Sequence, residues 1–337
     1  MKVLLITGAG ASRNLGADAQ MPLMPDWSDA LCDALDAREP KLAQACHLTP
    51  GLQGPEFEKN LGLLLRWEQV RPLELRFQDL GGHQAGSHIE AVEVARRATD
   101  QRMAVIMETI NVTLYEQFGQ LRIDDDKASA AYQALLQQLG EPEIALATTN
   151  YDRSGETALE TLGFEVDTGF RWRPNRLEVL EPTGLGSGPK TPAIHLHGAV
   201  GWYERNGQVG NHPADLPFNP TLGTPVVLYP DPEKDPTSDA VVNQLWIEFD
   251  AALDAADSVL VIGHSLHDPA LVRALRRAAP AKPVVVTCHD RNRFQDVESK
   301  IPGAIATEMN FGPSLEAEPH LRKMVEKGSR PAFISMS

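Results

Sequence analysis

Cysteine is scarce in this chain, with 3 among 337 residues. Cys32, Cys46 and Cys288 are odd in number and none stands in a C-x-x-C pair. That argues against a disulfide framework and leads us to expect reduced, partly buried thiols in a cytoplasmic protein. Long apolar runs are also missing: no stretch reaches the 18 residues of a spanning helix, so no membrane association is expected. The opening MKVLLITGAG has one lysine and a short apolar run that goes straight into glycine, which suits a buried first strand better than a secretory leader. Basic residues are in deficit, 31 Lys and Arg against 46 Asp and Glu, for a net charge of −15. The overall positive footprint of a nucleic-acid binder is therefore absent, and direct nucleic-acid binding is not expected. No internal repeat is visible. What remains is ordinary globular composition, 42% hydrophobic and 23% charged, enough for one large domain or a core with a sub-domain.

Val3 to Thr7 is a continuous apolar run, the mark of a strand covered on both faces of a parallel sheet. Ile144 to Ala147, Val226 to Tyr229, Ser258 to Ile262 and Val284 to Thr287 read the same way. Helical patterns at Asp239 to Ala256 and Pro269 to Ala279 flank the fourth of these runs. The alternation predicts an α/β fold with a doubly wound, mostly parallel Rossmann-like sheet. Between the first two runs, Phe57 to Val70, Ile89 to Phe118 and Ala128 to Leu139 read as helices, the last closed by Gly140. In the middle one, Ile89, Val92, Val94, Val105, Ile106, Met107 and Ile110 form a stripe that suits packing against neighbours better than a binding groove. Leu80 and the Gly-rich residues after it read as a linker. Residues 1–337 are thus expected to form one domain, with residues 40–128 a helical insertion within it. Pro182 to Pro192 and Asn211 to Pro236, rich in Pro and Gly, read as irregular loops.

Four motifs stand at predicted strand exits. In ITGAGAS, Gly8 and Gly10 permit a tight turn and close backbone approach to a phosphate, and Ser12 can donate or cap. An ordinary strand-to-helix turn explains the same residues equally well. A dehydrogenase fingerprint would need glycine where Arg13 stands, and an acidic residue ending a second strand about 20 positions on. Met21 to Leu35 reads instead as loop then helix, which disfavours hydride transfer. In TTNYD, Asn150 offers both donor and acceptor to a ribose hydroxyl or a water, and Asp152 can accept from a carboxamide or start the next helix. In HLHG, His195 and His197 share one side if the strand continues; no third ligand of zinc spacing accompanies them. His197, before Gly198, is the better general base. In VIGHSLHD, Gly263-His-Ser-Leu has the look of a hydrolase nucleophile elbow with His267 in place of its closing glycine; a second phosphate turn formed by Gly263 and Ser265 fits better.

Together and in this order the motifs resemble the sirtuin superfamily, most of all its zinc-less, sirtuin-like NADases of bacterial anti-phage defence. Thr7-Gly-Ala-Gly-Ala-Ser12 is similar to the family's first cofactor loop. Met24-Pro-Asp-Trp27 holds the place of its P-D-F-like segment, with Ser28 where deacylases usually carry arginine. Thr149-Asn-Tyr-Asp152 parallels its T-Q-N-x-D segment with threonine for glutamine, Leu196-His-Gly198 its catalytic-histidine segment, and Gly263-His-Ser-Leu266 its late G-x-S loop. The likeness covers roughly residues 1–30 and 140–290. The four zinc cysteines of protein deacylases have no counterpart, since no cysteine lies between Cys46 and Cys288. Trp202 to Asp239 stands in their place.

The resemblance implies NAD+ as substrate, no structural zinc, and an NAD+ glycohydrolase producing nicotinamide and ADP-ribose. Asn150, His197 and Asp152 would be the catalytic set, with Gly8, Ala9, Gly10, Ser12, Thr149, Gly263 and Ser265 binding the dinucleotide. A defence effector must be silent until needed, so a homo-oligomer or a regulatory protein partner is also implied. Two other classes are compatible with the residues: a non-catalytic NAD or ADP-ribose sensor, and a serine α/β-hydrolase using Ser265.

Overall fold

The computed structural model describes residues 1–18, 20–45, 86–119, 122–172, 178–185, 188–230, 236–313 and 320–327, together with scattered positions between 47 and 65. The chain divides into two compact units. The larger comprises Met1–Leu23, Gln117–Leu228 and Asp235–Ser337, the smaller Met24–Glu116 and Tyr229–Lys234.

The larger unit is built on seven parallel strands: β1 (Lys2–Thr7), β2 (Glu143–Thr148), β3 (Val166–Asp167), β6 (Thr191–His195), β10 (Ser258–Ile262), β11 (Val284–Cys288) and β12 (Ile305–Glu308). They lie in the order β12-β11-β10-β1-β2-β6-β3. The continuous apolar runs have the expected physical cause, because each strand feeds two cores in alternation. Leu4, Ile6, Ala145, Ala147, Val259 and Val261 face one cluster; Val3, Leu5, Ile144, Leu146, Leu260 and Ile262 face the other. The first cluster is closed by α7 (Ala240–Ala255) and α8 (Pro269–Ala278). The second is closed by α5 (Asp125–Leu139), α6 (Ser154–Thr161) and α9 (Leu321–Lys327). Asp239 and Asp268 cap α7 and α8 through side-chain oxygens, and Gly140 ends α5 in the left-handed conformation at φ 77°.

A second, five-stranded antiparallel sheet was not anticipated. It consists of β4 (Phe170–Trp172), β5 (Glu178–Leu180), β7 (Gly198–Arg205), β8 (Gln208–Asn211) and β9 (Thr224–Val227), in the order β4-β5-β8-β7-β9. The observed strands correct the reading of three segments. Of the Val226 to Tyr229 run only Val226 and Val227 are strand, the end of β9, which pairs antiparallel with β7 and not in the parallel sheet. Only Val226 of β9 is buried, so this run packs on one side only. The segments read as loops also contain strand: Thr191 and Pro192 begin β6, and Thr224–Val227 lies inside the 211–236 stretch. Pro192 is tolerated because β6 sits next to the edge and pairs there with the two-residue β3. Trp202 of β7 anchors the sheet, its ring 5.1 Å from those of Phe170 and His195.

The smaller unit holds α2 (Met24–Arg38), α3 (Pro40–Ala45) and α4 (Gly86–Phe118), α4 running on past the unit's boundary, and residues 56–62 are helical as well. Met103, Ile106, Ile110 and Leu114 form the buried stripe of α4, while Val105 and Met107 are only partly buried. The side chains of Ile89, Val92 and Val94, the Leu80 linker and most of the helix expected to end at Val70 lie outside the described residues. Arg38 donates to Thr109 Oγ1 at 3.0 Å, and the Trp27 and Phe57 rings meet edge to face at 5.7 Å.

Candidate functional site

Strand order reverses at the centre of the sheet: the chain leaves β1 for β2 on one side and returns to β10 on the other. Ligands of open α/β sheets bind at such a switch point, outside the carboxyl ends of the strands. All four motifs occupy that edge, directly after β1, β2, β6 and β10.

The β1 and β10 exits interlock. Gly8 N–H donates to Ile262 O and Gly10 N–H to Gly263 O, both at 2.9 Å, and Ala11 N–H turns back to Gly8 O. A Cβ at Gly263 would lie 2.2 Å from Ala11 N, and Gly263 sits at φ +62°. A Cβ at Gly8 would lie 2.8 Å from Gly263 O. These glycines therefore serve first to let two backbones touch. The N–H groups of Gly8 and Gly10 are spent on this contact inside the protein.

Ser12, on the four-residue helix α1 (Ala9–Ser12), is the hub of a buried polar cluster. Its Oγ donates to Asp152 Oδ1 at 3.1 Å, lies 2.7 Å from Ser154 Oγ, and accepts from Asn150 Nδ2 at 2.8 Å. A hydroxyl has one proton and two lone pairs, so with Ser154 as donor the capacity of Ser12 is filled. Asp152 Oδ1 also accepts from Ser154 N, an Asx turn that leads into α6, whose N-cap is Arg153. Asn150 Nδ2 makes a second bond to Gly8 O at 3.2 Å. Both amide protons are thus committed and the orientation of the amide is set. Asn150 Oδ1, in a residue 6% exposed, has no hydrogen-bond partner among the described residues. A buried acceptor without a donor costs about 1–3 kcal/mol, a cost relieved when a water or hydroxyl donates to it. Thr149 is held to Thr7 O through its N–H at 3.0 Å.

β6 ends at His195, so the two histidines of HLHG take different partners. His195 Nε2 meets Glu156 Oε2 at 3.2 Å, and Glu156 in turn pairs with Arg153. Burial pushes the Glu156 carboxyl up, but the hydrogen bond and charge of His195, with Arg153, outweigh it and hold the group at about 2. His197 Nε2 lies 2.7 Å from Asp268 Oδ2. Its carbonyl accepts from Leu228 N, and Leu228 O accepts from the Tyr151 hydroxyl, both at 2.8 Å. The Tyr151 ring stands 6.4 Å from the imidazole. Gly198 must follow, because at φ +69° a Cβ would come within 1.9 Å of Val226 O.

Ser265 is set apart from these groups. It is exposed, its carbonyl accepts from Arg293 Nη2 at 2.7 Å, and its hydroxyl makes no hydrogen bond among the described residues. Left-handed backbone falls on Gly263 and Leu266 on either side of it, not on the serine that an elbow would strain. Nearby, burial together with Lys300 and Arg293 holds His267 below its ordinary value. Glu156 and Asp268 were not picked out by sequence reading. Asp268 carried one signal, its place just before Pro269 as a helix N-cap; Glu156 carried none.

No protein-family model and no curated protein matches the chain. Solved structures similar to it include one from a study of the mechanism and regulation of Sir2 enzymes, at 13% identity and a TM-score of 0.39, covering 91% of this chain and 86% of that one. A mutant Sir2 homologue bound to ADP-ribose has 14% identity and a TM-score of 0.41, covering 90% and 85%. A chain from work on sirtuin substrate affinity has 14% identity and a TM-score of 0.37, covering 97% and 93%. At such identities, function has to be argued from the site itself. Among the described residues no helix is long and apolar enough to cross a membrane, and no group of three or more His, Cys, Asp or Glu could hold a metal ion.

Proposed function

We propose that the chain is a sirtuin-like NAD+ hydrolase that cleaves the nicotinamide–ribose bond. The observation that carries this is Asn150: an amide fixed by two acceptors at the switch point, with one buried acceptor left over. That acceptor suits the hydroxyl of a ribose or a water aimed at its anomeric carbon. In the reaction, the bond from ribose C1′ to the pyridinium nitrogen breaks and its electron pair neutralises nicotinamide. Water oxygen bonds to C1′, and the water proton passes to His197. The transition state is oxocarbenium-like, so fixed dipoles that hold the ring and the water contribute most. Asp152 Oδ2, which makes no hydrogen bond within the described protein, is assigned to the nicotinamide carboxamide N–H. Ala9, Thr149 and Ser265 are assigned to the diphosphate and ribose, with Gly8, Gly10, Ser12 and Gly263 shaping the loops that carry them. The role of a regulated defence effector, controlled by self-assembly or a partner protein, rests on the family likeness alone.

The test is to incubate pure protein with NAD+ and identify products by chromatography. Nicotinamide and ADP-ribose should appear in equal amounts. Asn150→Ala and His197→Ala, both folded, should each lose activity, the latter by at least about 10²-fold, the lower range for a general base. Near-normal turnover in either variant would sink the assignment. Binding of NAD+ without products would make the protein a sensor.

A further inference from the structure

Asp268 does more than a helix cap requires. Its Oδ1 accepts from Ala270 N at 2.8 Å and Leu271 N at 3.1 Å, with Pro269 opening α8. Capping needs only one oxygen, and Ser, Thr or Asn supplies it about as well. The second oxygen, Oδ2, is 2.7 Å from His197 Nε2. Both residues are buried, at 4% and 5% exposure. Two backbone N–H groups pin the carboxylate so that Oδ2 cannot swing away, and the N-terminal end of α8 favours negative charge there. A carboxylate only accepts, so the shared proton sits on Nε2. A neutral imidazole with hydrogen on Nε2 has its basic lone pair on Nδ1.

We propose that Asp268 is a positioning residue that locks His197 in the Nε2–H tautomer, making Nδ1 the nitrogen that takes the proton. The part concerning proton transfer rests on the hydrolase reading above; the tautomer itself does not. Asp268 thereby ties the start of α8 to the exit of β6, joining the last motif of the sequence to the third.

Asp268→Asn separates the two roles of the side chain. The amide oxygen still caps α8, so the melting temperature should stay close to that of the parent protein. The amide nitrogen now faces Nε2 as a donor, which forces Nε2 to accept and moves the proton to Nδ1. Nitrogen-15 spectra of histidine-labelled protein, with His197 assigned by its loss in His197→Gln, should show a protonated Nε2 in the parent and a protonated Nδ1 in Asp268→Asn. With NAD+, kcat should fall about 10²–10⁴-fold while KM holds, as expected when a base is disabled and binding is not. Asp268→Ser, which caps but is too short to reach the imidazole, should lose kcat as well. A folded Asp268→Asn protein whose His197 keeps the Nε2–H form, or whose kcat equals that of the parent, overturns the proposal. If the parent cleaves no NAD+, the hydrolase reading falls, and the nitrogen spectra still decide the pairing.

Discussion

Replacing Gly263 by alanine should destabilise the fold before it touches any ligand, and the size of the effect can be worked from the geometry. At φ +62° an L-residue pays about 1–2 kcal/mol for the left-handed conformation. In addition, the new Cβ would stand 2.2 Å from Ala11 N and 2.5 Å from Gly10 C. Both are backbone atoms, with no flexible end to give way, so overpacking adds about 1–3 kcal/mol toward its upper end. Gly163 supplies the control. It has φ +88° with nothing within 4 Å of a built Cβ, so Gly163→Ala should cost only the conformational part. Gly188 has open space and no positive φ, and Gly188→Ala should fall within about ±0.5 kcal/mol. Urea unfolding of the three variants beside the parent gives the differences directly. The excess of Gly263→Ala over Gly163→Ala measures the interlock of the two loops. If the two variants unfold alike while NAD+ affinity falls only in Gly263→Ala, the glycine is there for the ligand and the packing account is wrong.

Three further outcomes follow from the same structure. Glu156 is held below its ordinary value near 4.5, at about 2, so its contribution to stability is whole above pH 4.5 and lost as pH falls through about 2. Glu156→Gln should flatten the acid-unfolding curve in that window, and an unchanged slope would remove the Arg153–Glu156–His195 chain from the stability argument. Ser265→Ala should raise the apparent Kd for NAD+ about ten- to a hundred-fold, the worth of one hydrogen bond to a charged group, and leave turnover at saturation intact. Labelling of Ser265 by a fluorophosphonate, with esterase activity lost in the variant, would favour the hydrolase alternative. Elemental analysis of the purified protein should find no stoichiometric zinc; one tightly held ion per chain would overturn this and make His195, His264, His267 and His289 the ligands to test.

Four strands of the parallel sheet, β1, β2, β10 and β11, were legible in the sequence because strands buried on both faces need uninterrupted apolar residues, as Leu4-Leu5-Ile6 and Val259-Leu260-Val261 show; the edge strands β3 and β12 were not. The end of α5 was legible for a similar reason: Gly140 acts through bonds within a few residues of itself. Strand-exit motifs marked one edge of the sheet, since carboxyl ends of parallel strands converge there whatever the connections between them. The antiparallel sheet left no comparable trace. Its strands are short and their pairing is long-range, so turn-rich segments such as 211–236 read as loop. Partners of side chains were likewise beyond the sequence. That Gly8, Gly10 and Gly263 serve one another, that Ser12 is saturated and Asn150 is not, and that His195 and His197 part company toward Glu156 and Asp268, all depend on elements far apart in the chain. A motif names the chemistry available at a strand end. Only the packing of β1, β2, β6 and β10 side by side decides which of those groups are spent on the protein and which are left for a ligand.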